Sequence, residues 1–272
     1  MREKLTVLSP CKNEANNIAE CIASVRDVAD EILIADSLST DDTLEIVRQA
    51  GGCRIIEREF VGYADFKNWA IPQAAHPWVL IVDADERLTP ELHADIKRVL
   101  ASPEANIDAY AMPRRNFFIG QEIKHSTWGA HDVVRMLRRD VVRYKNVRVH
   151  ETLAVSAERV RRLTGSMLHY SCTSYGQYLT KCNHYAALLA RESYDRGRRA
   201  HWFGLVVAPW LKFFQAYVLQ RGFLDGKAGF QVAMLSAIWG PYLKYARLWE
   251  LEQQEGLKVA ANKPVEQKRL AA

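Results

Sequence analysis

The chain has 272 residues, 49% of them hydrophobic and 25% charged, so it can bury the core of one large domain or of one domain with an appendage. Its net charge is +5, and much of the basic excess lies in three clusters, at residues 135–148, 159–162 and 196–199. Such clusters can meet anionic lipid or phosphorylated substrates. No nucleic-acid-binding motif accompanies them, so nucleic acid is not an expected partner. The five cysteines lack metal-type spacing and the first residues lack an apolar signal core, which predicts a cytosolic chain with reduced thiols that is not secreted.

Strands and helices alternate along the first hundred residues. Short apolar runs predict strands at residues 5–8, 31–36, 54–56 and 79–82, the last buried on both faces. Helical spacing and caps predict helices through 18–25, 44–50 and 66–74, and another that starts with Thr89 as N-cap and Pro90 in the first turn. This order is typical of a mostly parallel sheet with right-handed crossovers. The glycine motifs of dinucleotide-binding and P-loop folds are missing from the sequence.

Segments that bear polar residues lie at the ends of three of these strands. They run from Pro10 to Glu14 after the first, from Asp36 to Asp41 after the second, and from Asp83 to Asp85 after the fourth. The carboxyl ends of parallel strands meet at one edge of a sheet, where open α/β sheets bind ligands. Two carboxylates at that edge suit a divalent cation that carries a diphosphate. The structural alternatives are a solvated acidic turn for Asp83 and Asp85 and a helix cap for Asp41.

Several of these segments, in this order, resemble the nucleotide-sugar half of family 2 glycosyltransferases. They are Pro10 with Asn13-Glu14, residues 36–41, Lys67-Asn68 and residues 83–85, and one departure is Leu38, where the family usually has glycine. Later segments, at residues 113–118, 149–151, 168–171 and 222–230, resemble the bacterial lipopolysaccharide core glucosyltransferase subgroup, which adds glucose to the inner-core heptose in a β-1,4 linkage.

The resemblance implies a GT-A fold, a Rossmann-like, mostly parallel sheet with helices on both faces. The pattern of the last hundred residues, described below, adds the prediction of a C-terminal helical, membrane-associating region. The resemblance also implies that Glu14 and Asp36 bind the uridine, with Pro10 shaping the pocket and Asp41 in the adjoining loop. It implies that Lys67 is a cation on the nucleotide side. Asp83 would contact the ribose and the metal, and Asp85 would bind Mg²⁺ or Mn²⁺ directly. The alternative for Lys67 is a solvated helix residue. The predicted parts are a nucleotide-sugar-binding half at 1–105, an acceptor and catalytic half at 106–172, a helical region at 173–252 and a disordered tail at 253–272.

The middle of the chain predicts further, antiparallel strands at residues 109–112, 133–137 and 147–149. An inverting sugar transfer needs a carboxylate that takes the proton of the attacking hydroxyl. Glu151, slightly favoured, and Asp132 are the candidates, and an ion pair with a nearby arginine is the alternative for each. Asp132 lies one position away from the aromatic-Pro-Asp pattern of the subgroup. The candidates for acceptor binding are Arg114, Asn116, Trp128 and His150, with an ordinary packed tryptophan as the alternative for Trp128.

The last hundred residues predict helices. The runs 202–219 and 230–249 are about long enough to span a bilayer, roughly 20 residues, but Lys212 interrupts the first, and Lys244 and Arg247 the second. Aromatic residues mixed with lysine and arginine favour helices that lie in the interface of an anionic cytoplasmic leaflet. The alternative is a packed helical cap on the acceptor half.

The sequence therefore predicts a metal-dependent inverting glycosyltransferase that carries a hexose, most simply glucose, from a UDP-sugar to a lipid-linked saccharide, the inner-core heptose. It predicts a cytoplasmic protein, peripheral on the inner face of the cell membrane. A second interpretation is transfer of the sugar to a polyprenyl phosphate. A third is a non-catalytic membrane adaptor with a decayed nucleotide fold.

Overall fold

The computed structural model describes residues 2–145 and 153–261, which belong to two compact units. The N-terminal unit comprises Met1–Glu122 and Ala130–Ser171, and the C-terminal unit comprises Ile123–Gly129 and Cys172–Ala272. The predicted strand at 147–149 and the site candidates His150 and Glu151 lie outside the described residues.

A ten-stranded sheet forms most of the N-terminal unit. Its strands are β1 (Leu5–Cys11), β2 (Glu31–Asp36), β3 (Cys53–Glu57), β4 (Trp78–Ile81), β5 (Glu86–Leu88), β6 (Ala109–Phe118), β7 (Gln121–Ile123), β8 (His131–Arg138), β9 (Val160–Arg162) and β10 (Met167–Cys172). They follow the order β3-β2-β1-β4-β8-β6-β10-β5, and β7 and β9 each pair with β6.

One half of the sheet is wholly parallel, and the other half is mixed, with β9 parallel to β6. Strands β3, β2, β1 and β4 run parallel, as predicted, whereas β8 runs antiparallel to β4 and β6, and β10 antiparallel to β5. The prediction of a mostly parallel sheet is therefore wrong for the sheet as a whole, which is mixed. Parallel neighbours need a crossover, usually a helix, and no α-helix of the N-terminal unit lies between β6 and β8.

Helices cover both faces of this sheet, as predicted. They are α1 (Ile18–Val25), α2 (Thr43–Ala50), α3 (Tyr63–Ala70) and α4 (Pro90–Ala101). Successive residues of a strand face opposite sides of the sheet: in β1, Val7 packs with α1, α2 and α4, and Leu8 packs with α3. Helix α4 has the predicted start, because the Thr89 hydroxyl accepts the Leu92 N–H at 3.3 Å and Pro90 follows the cap.

The C-terminal unit is helical, as predicted. Its helices are α5 (Tyr175–Asp195), α6 (Ala208–Phe214), α7 (Gly226–Ala237) and α8 (Lys244–Ala261), with π turns at Phe203–Val207, Gln215–Leu219 and Ile238–Leu243. Helix α8 continues past Glu252, where the tail was predicted to begin. Its sequence there is rich in helix-forming Glu, Gln, Leu and Ala. Across the described ranges, no helix combines the length and the hydropathy needed to cross a bilayer.

The segment 222–230 has a packing role in this unit. The buried Asp225 carboxylate accepts the backbone N–H of Lys124 at 3.3 Å and of His125 at 2.8 Å, and it also contacts the His125 ring at 3.0 Å. A side chain at Gly229 would collide with the Gly222 carbonyl. Asp225 and the glycines thus hold residues 123–129 against the start of α7.

Candidate active site

The loops after β1 and β2 are joined by hydrogen bonds. The Asn13 side-chain oxygen accepts the Thr40 N–H at 2.8 Å, and the Asn13 N–H donates to the Ser39 hydroxyl at 2.8 Å. The Glu14 N–H donates to the Thr43 hydroxyl at 2.8 Å. Pro10, near the end of β1, lies opposite Ala35 of β2. Two of the three predicted strand ends therefore form one surface.

Asp36 and Asp41 organise this surface. The fully buried Asp36 carboxylate accepts the Ser39 N–H at 2.7 Å and the Ser39 hydroxyl at 2.5 Å. Asp41 accepts from the Thr43 N–H at 3.1 Å and the Ala15 N–H at 3.2 Å. Desolvation raises the pKa of Asp41, but the hydrogen bonds from Thr43 and Ala15 outweigh it and hold this pKa below its usual value. Asp41 thus fastens the start of α2 to the neighbouring loop.

The departure from the family pattern at Leu38 has a backbone consequence. Leu38 has a φ of 57°, in the left-handed region where glycine is at ease, and its side chain is half exposed. A residue with a Cβ costs roughly 1–2 kcal/mol in this region, whereas glycine costs about 0.4–1 kcal/mol through the unfolded chain. Leu38→Gly is therefore expected to raise the free energy of unfolding by about 0.5 kcal/mol, measured as a shift of the urea midpoint at constant m. The control Leu38→Ala keeps the strained backbone and should not raise the free energy of unfolding. A lower free energy of unfolding for Leu38→Gly than for Leu38→Ala would refute the strain.

Two cations hold Asp83 at the end of β4. The Arg135 guanidinium lies 2.5 Å from one carboxylate oxygen, and the Lys67 ammonium 3.9 Å from the other. Burial raises the pKa of Asp83, but Arg135 and Lys67 together keep it well below its usual range, so the carboxylate is ionised. Lys67 is itself buried and lies over the Tyr144 ring. The alternative of a solvated helix residue is therefore wrong for Lys67.

Glu86 holds Arg135 and the backbone of Asp83 in place. Its fully buried carboxylate lies 3.0 Å from Arg135 and 3.4 Å from Arg114, and it accepts the Asp83 N–H at 3.0 Å. Buried charges persist only where partners compensate them. Arg114, an acceptor candidate, also contacts the His131 ring at 3.0 Å. Sequence reasoning assigned no role to Glu86 or Arg135.

Asp85 lies beside His169, which sequence reasoning also left without a role. One Asp85 oxygen is 3.5 Å from Nε2 of His169, and Nδ1 of His169 is 2.7 Å from the side-chain oxygen of Asn116, another acceptor candidate. Strand pairing explains this meeting, because His169 in β10 lies opposite Glu86 in β5. The only signal available in the sequence was the position of His169 within the segment 168–171.

Arg87 fixes the backbone of the same turn. Its guanidinium donates to the carbonyls of Ala84 and Asn17, both at 2.8 Å. The contact with Asn17 ties the end of β4 to the loop after β1. All three predicted strand ends are therefore brought together at one edge of the sheet.

Two of the remaining candidates, Asp132 and Trp128, have contacts of their own. Asp132 is exposed and pairs with Arg162 at 2.7 Å. Because strand residues alternate, Asp132 points away from the face on which the neighbouring His131 contacts Arg114. Trp128 belongs to the C-terminal unit, where its ring packs on Tyr178 with centroids 5.7 Å apart.

The donor set accommodates a cation only in part. Within 2–145 and 153–261, no group of three or more His, Cys, Asp or Glu side chains forms a complete metal site. Asp83, one of the two predicted ligands, is neutralised by Arg135 and Lys67. Asp85 and His169 are the two neighbouring donors that fit a divalent cation, whose shell a diphosphate would complete.

Comparison with known proteins identifies the family. Residues 6–161, more than half of the chain, match the model of Glycosyl transferase family 2. The chain belongs to this family. The match confirms the resemblance to family 2 and the prediction of an enzyme.

Two bacterial relatives of this family 2 glycosyltransferase extend the similarity to most of the chain. An uncharacterised glycosyltransferase of Rickettsia felis is 30% identical over 91% of this chain and 90% of its own length. The lipopolysaccharide core biosynthesis glycosyltransferase LpsC of Rhizobium meliloti is 30% identical over 93% of each chain. Among solved structures, glucosyl-3-phosphoglycerate synthase of Mycobacterium tuberculosis, in complex with Mn²⁺, UDP and glucosyl-3-phosphoglycerate, is 23% identical over 42% of this chain and 44% of its own, with a TM-score of 0.35.

Proposed function

We propose that this family 2 glycosyltransferase is an inverting hexosyltransferase that transfers glucose from UDP-glucose to an inner-core heptose of lipopolysaccharide. One observation carries the proposal: Asp83 and Asp85 follow β4 at the edge where the β1 and β2 loops meet, with Asp85 beside His169 and Asp83 beside Lys67 and Arg135. The acceptor class is supported by the relative from Rhizobium meliloti, whose name assigns it to lipopolysaccharide core biosynthesis.

The donor nucleotide would occupy the joined loops after β1 and β2. In this proposal Glu14 and Asp36 hold the uridine, Pro10 shapes the pocket, and Asp41 keeps the two loops together. Lys67 and Arg135 contribute two positive charges close to Asp83. Cations placed at a departing diphosphate stabilise the negative charge that develops there.

Asp85 and His169 would hold the cation, Mg²⁺ or Mn²⁺, which when bound neutralises charge on the leaving diphosphate. Asn116 presents its amide oxygen to Nδ1 of His169 at 2.7 Å. An oxygen acceptor at Nδ1 favours the tautomer that carries its proton on that nitrogen, which would leave Nε2 to bind the cation beside Asp85. Partners of this kind orient histidine ligands in metal sites. Asp83 would serve the ribose side, since its carboxylate is already neutralised.

A carboxylate would take the proton of the acceptor hydroxyl as that oxygen bonds to the anomeric carbon and the diphosphate leaves from the opposite face. Of the two candidates, Asp132 is committed to an exposed pair with Arg162. This contact favours Glu151 as the base. The acceptor-side candidates are still Arg114, Asn116, Trp128 and His150. The contact of Asn116 with His169 also suits a role in orienting that histidine.

The acceptor in this proposal is lipid-linked, and the enzyme meets it at the cytoplasmic face of the membrane as a peripheral protein. The test gives purified enzyme, Mn²⁺ and a panel of UDP-sugars either a delipidated heptose-bearing core oligosaccharide or a polyprenyl phosphate, with products read by mass. We expect one added hexose on the core oligosaccharide with UDP-glucose as the best donor. Product only on the polyprenyl phosphate would replace the proposed acceptor.

A further inference from the structure

The segment 202–219 of the C-terminal unit carries an apolar stripe. Its exposed positions recur as neighbouring pairs every four residues, at 202–203, 206–207, 210–211, 214–215 and 218–219, and all of them except Gln215 are large hydrophobics. Trp202 is 80% exposed and Trp210 is 67% exposed. Monomeric soluble proteins rarely display an apolar surface of this extent unless it binds something.

The helical geometry keeps this stripe on one side. In a regular α-helix a four-residue repeat rotates by about 40° at each step, because a turn takes 3.6 residues. The segment instead contains two π turns, Phe203–Val207 and Gln215–Leu219, around α6. A π turn is wider than an α turn and offsets this rotation. The repeat therefore stays aligned over about 27 Å of helix.

The opposite side of the segment is packed inside its own unit. Gly204 and Ala216 are buried, and a methyl group on Gly204 would lie 2.6 Å from the Tyr245 ring. This close contact fixes the rotation of the segment about its axis. The stripe is thus the outward side of a packed helix.

The segment that carries the stripe is basic in sequence. Residues 196–224 contain five arginine and lysine residues and no aspartate or glutamate. Of the three arginines in the cluster before the stripe, Arg196 pairs with Glu192 at 2.6 Å, much as Arg159 pairs with Asp108 in the cluster at 159–162. Exposed Arg196, Arg198 and Arg199 precede the stripe, and exposed Arg221 follows it.

We propose that the stripe at 202–219 and its flanking cations form the surface with which this enzyme binds an anionic phospholipid bilayer, lying in the interface without crossing it. Tryptophan and phenylalanine beside lysine and arginine suit the boundary between headgroups and acyl chains. A second copy of the chain fits less well, because pairing two such surfaces would bring like charges together. The inference deepens the proposed function by naming the surface that would meet the lipid, but its test needs no activity.

The test measures flotation of the full-length protein with vesicles of phosphatidylcholine alone or of equal parts phosphatidylcholine and phosphatidylglycerol. We expect preferential binding to the anionic vesicles, weakened by added salt. Trp210→Ser with Leu211→Ser should lower the partition coefficient at least tenfold. Arg198→Gln, Arg199→Gln and Lys212→Gln should lower it about fivefold for each charge removed. The matched control is Val61→Ser with Leu257→Ser, which removes side chains that are 72% and 70% exposed outside the stripe; it should bind as the parent does.

Three outcomes would contradict the proposal that this surface binds lipid. They are no binding to anionic vesicles, equal loss of binding in the control and stripe variants, and a dimer in sedimentation that the stripe substitutions dissociate. Transfer to a delipidated acceptor is measured separately, and the stripe variant should retain parental kcat there. If that transfer fails in the parent while vesicle binding follows the expected pattern, the proposed function is refuted and the lipid-binding surface is not.

Discussion

Asp85→Asn is expected to lower kcat for hexosyl transfer about a thousandfold or more while the fold is retained. The substitution preserves the shape of the side chain and the hydrogen bond from the Tyr170 N–H to the Asp85 carbonyl, at 2.8 Å. It removes the charge that would hold a divalent cation beside His169, and such a cation supplies several kcal/mol of charge stabilisation to a leaving diphosphate. Steady-state kinetics over a Mn²⁺ titration measures the loss, and calorimetric titration of UDP with and without Mn²⁺ measures the binding component.

The matched control for Asp85→Asn is Asp140→Asn. Asp140 is an exposed carboxylate of the same unit whose partner is the neighbouring Arg139 at 2.8 Å. Its neutralisation should leave kcat and the Mn²⁺ dependence unchanged. Near-parental turnover of Asp85→Asn, with UDP binding that still responds to Mn²⁺, would mean that the cation is held elsewhere.

The sheet edge that carries Asp36, Asp83 and Asp85 was predictable because its signals are local. Each strand of the parallel half is a short apolar run that ends in polar residues, and each is followed by a helix with readable spacing or caps. Parallel topology then requires these strand ends to share one edge. The sequence also indicated Leu38 as unusual, and its positive φ gives the physical reason.

The support beneath that edge depends on strand register, which no local pattern encodes. Glu86 belongs to a three-residue strand, too short for a visible alternation, and its partner His169 is more than eighty positions later in the chain. Arg135 looked like one member of a basic cluster, yet it is buried between Asp83 and Glu86. The sequence predicts an apolar run at 202–219 that Lys212 interrupts, but its four-residue repeat matches neither a regular α-helix nor a strand, so the stripe itself is visible only in the structure.

Two carboxylates, Glu151 and Asp132, are the candidates for the catalytic base, and substitution of each one tests which of them acts. Glu151→Gln is expected to lower kcat by about 10²- to 10⁴-fold, the usual contribution of a general base, with little change in the KM for UDP-glucose. Asp132→Asn is its matched variant and should change kcat by about threefold at most, because Asp132 is exposed and held by Arg162 at 2.7 Å. Both variants are compared with the parent across a pH series, since loss of the base also removes its limb from the pH–rate profile.

The two substitutions have opposite consequences if the assignment is reversed. Loss of turnover in Asp132→Asn with a retained pH limb in Glu151→Gln would make Asp132 the base, and the Arg162 pair would then have to open before each transfer. In that case Arg162→Gln would free the carboxylate and raise kcat, whereas under the assignment to Glu151 it should leave kcat unchanged. Arg162→Gln thus distinguishes a catalytic carboxylate from one that serves in an ion pair with Arg162 of β9.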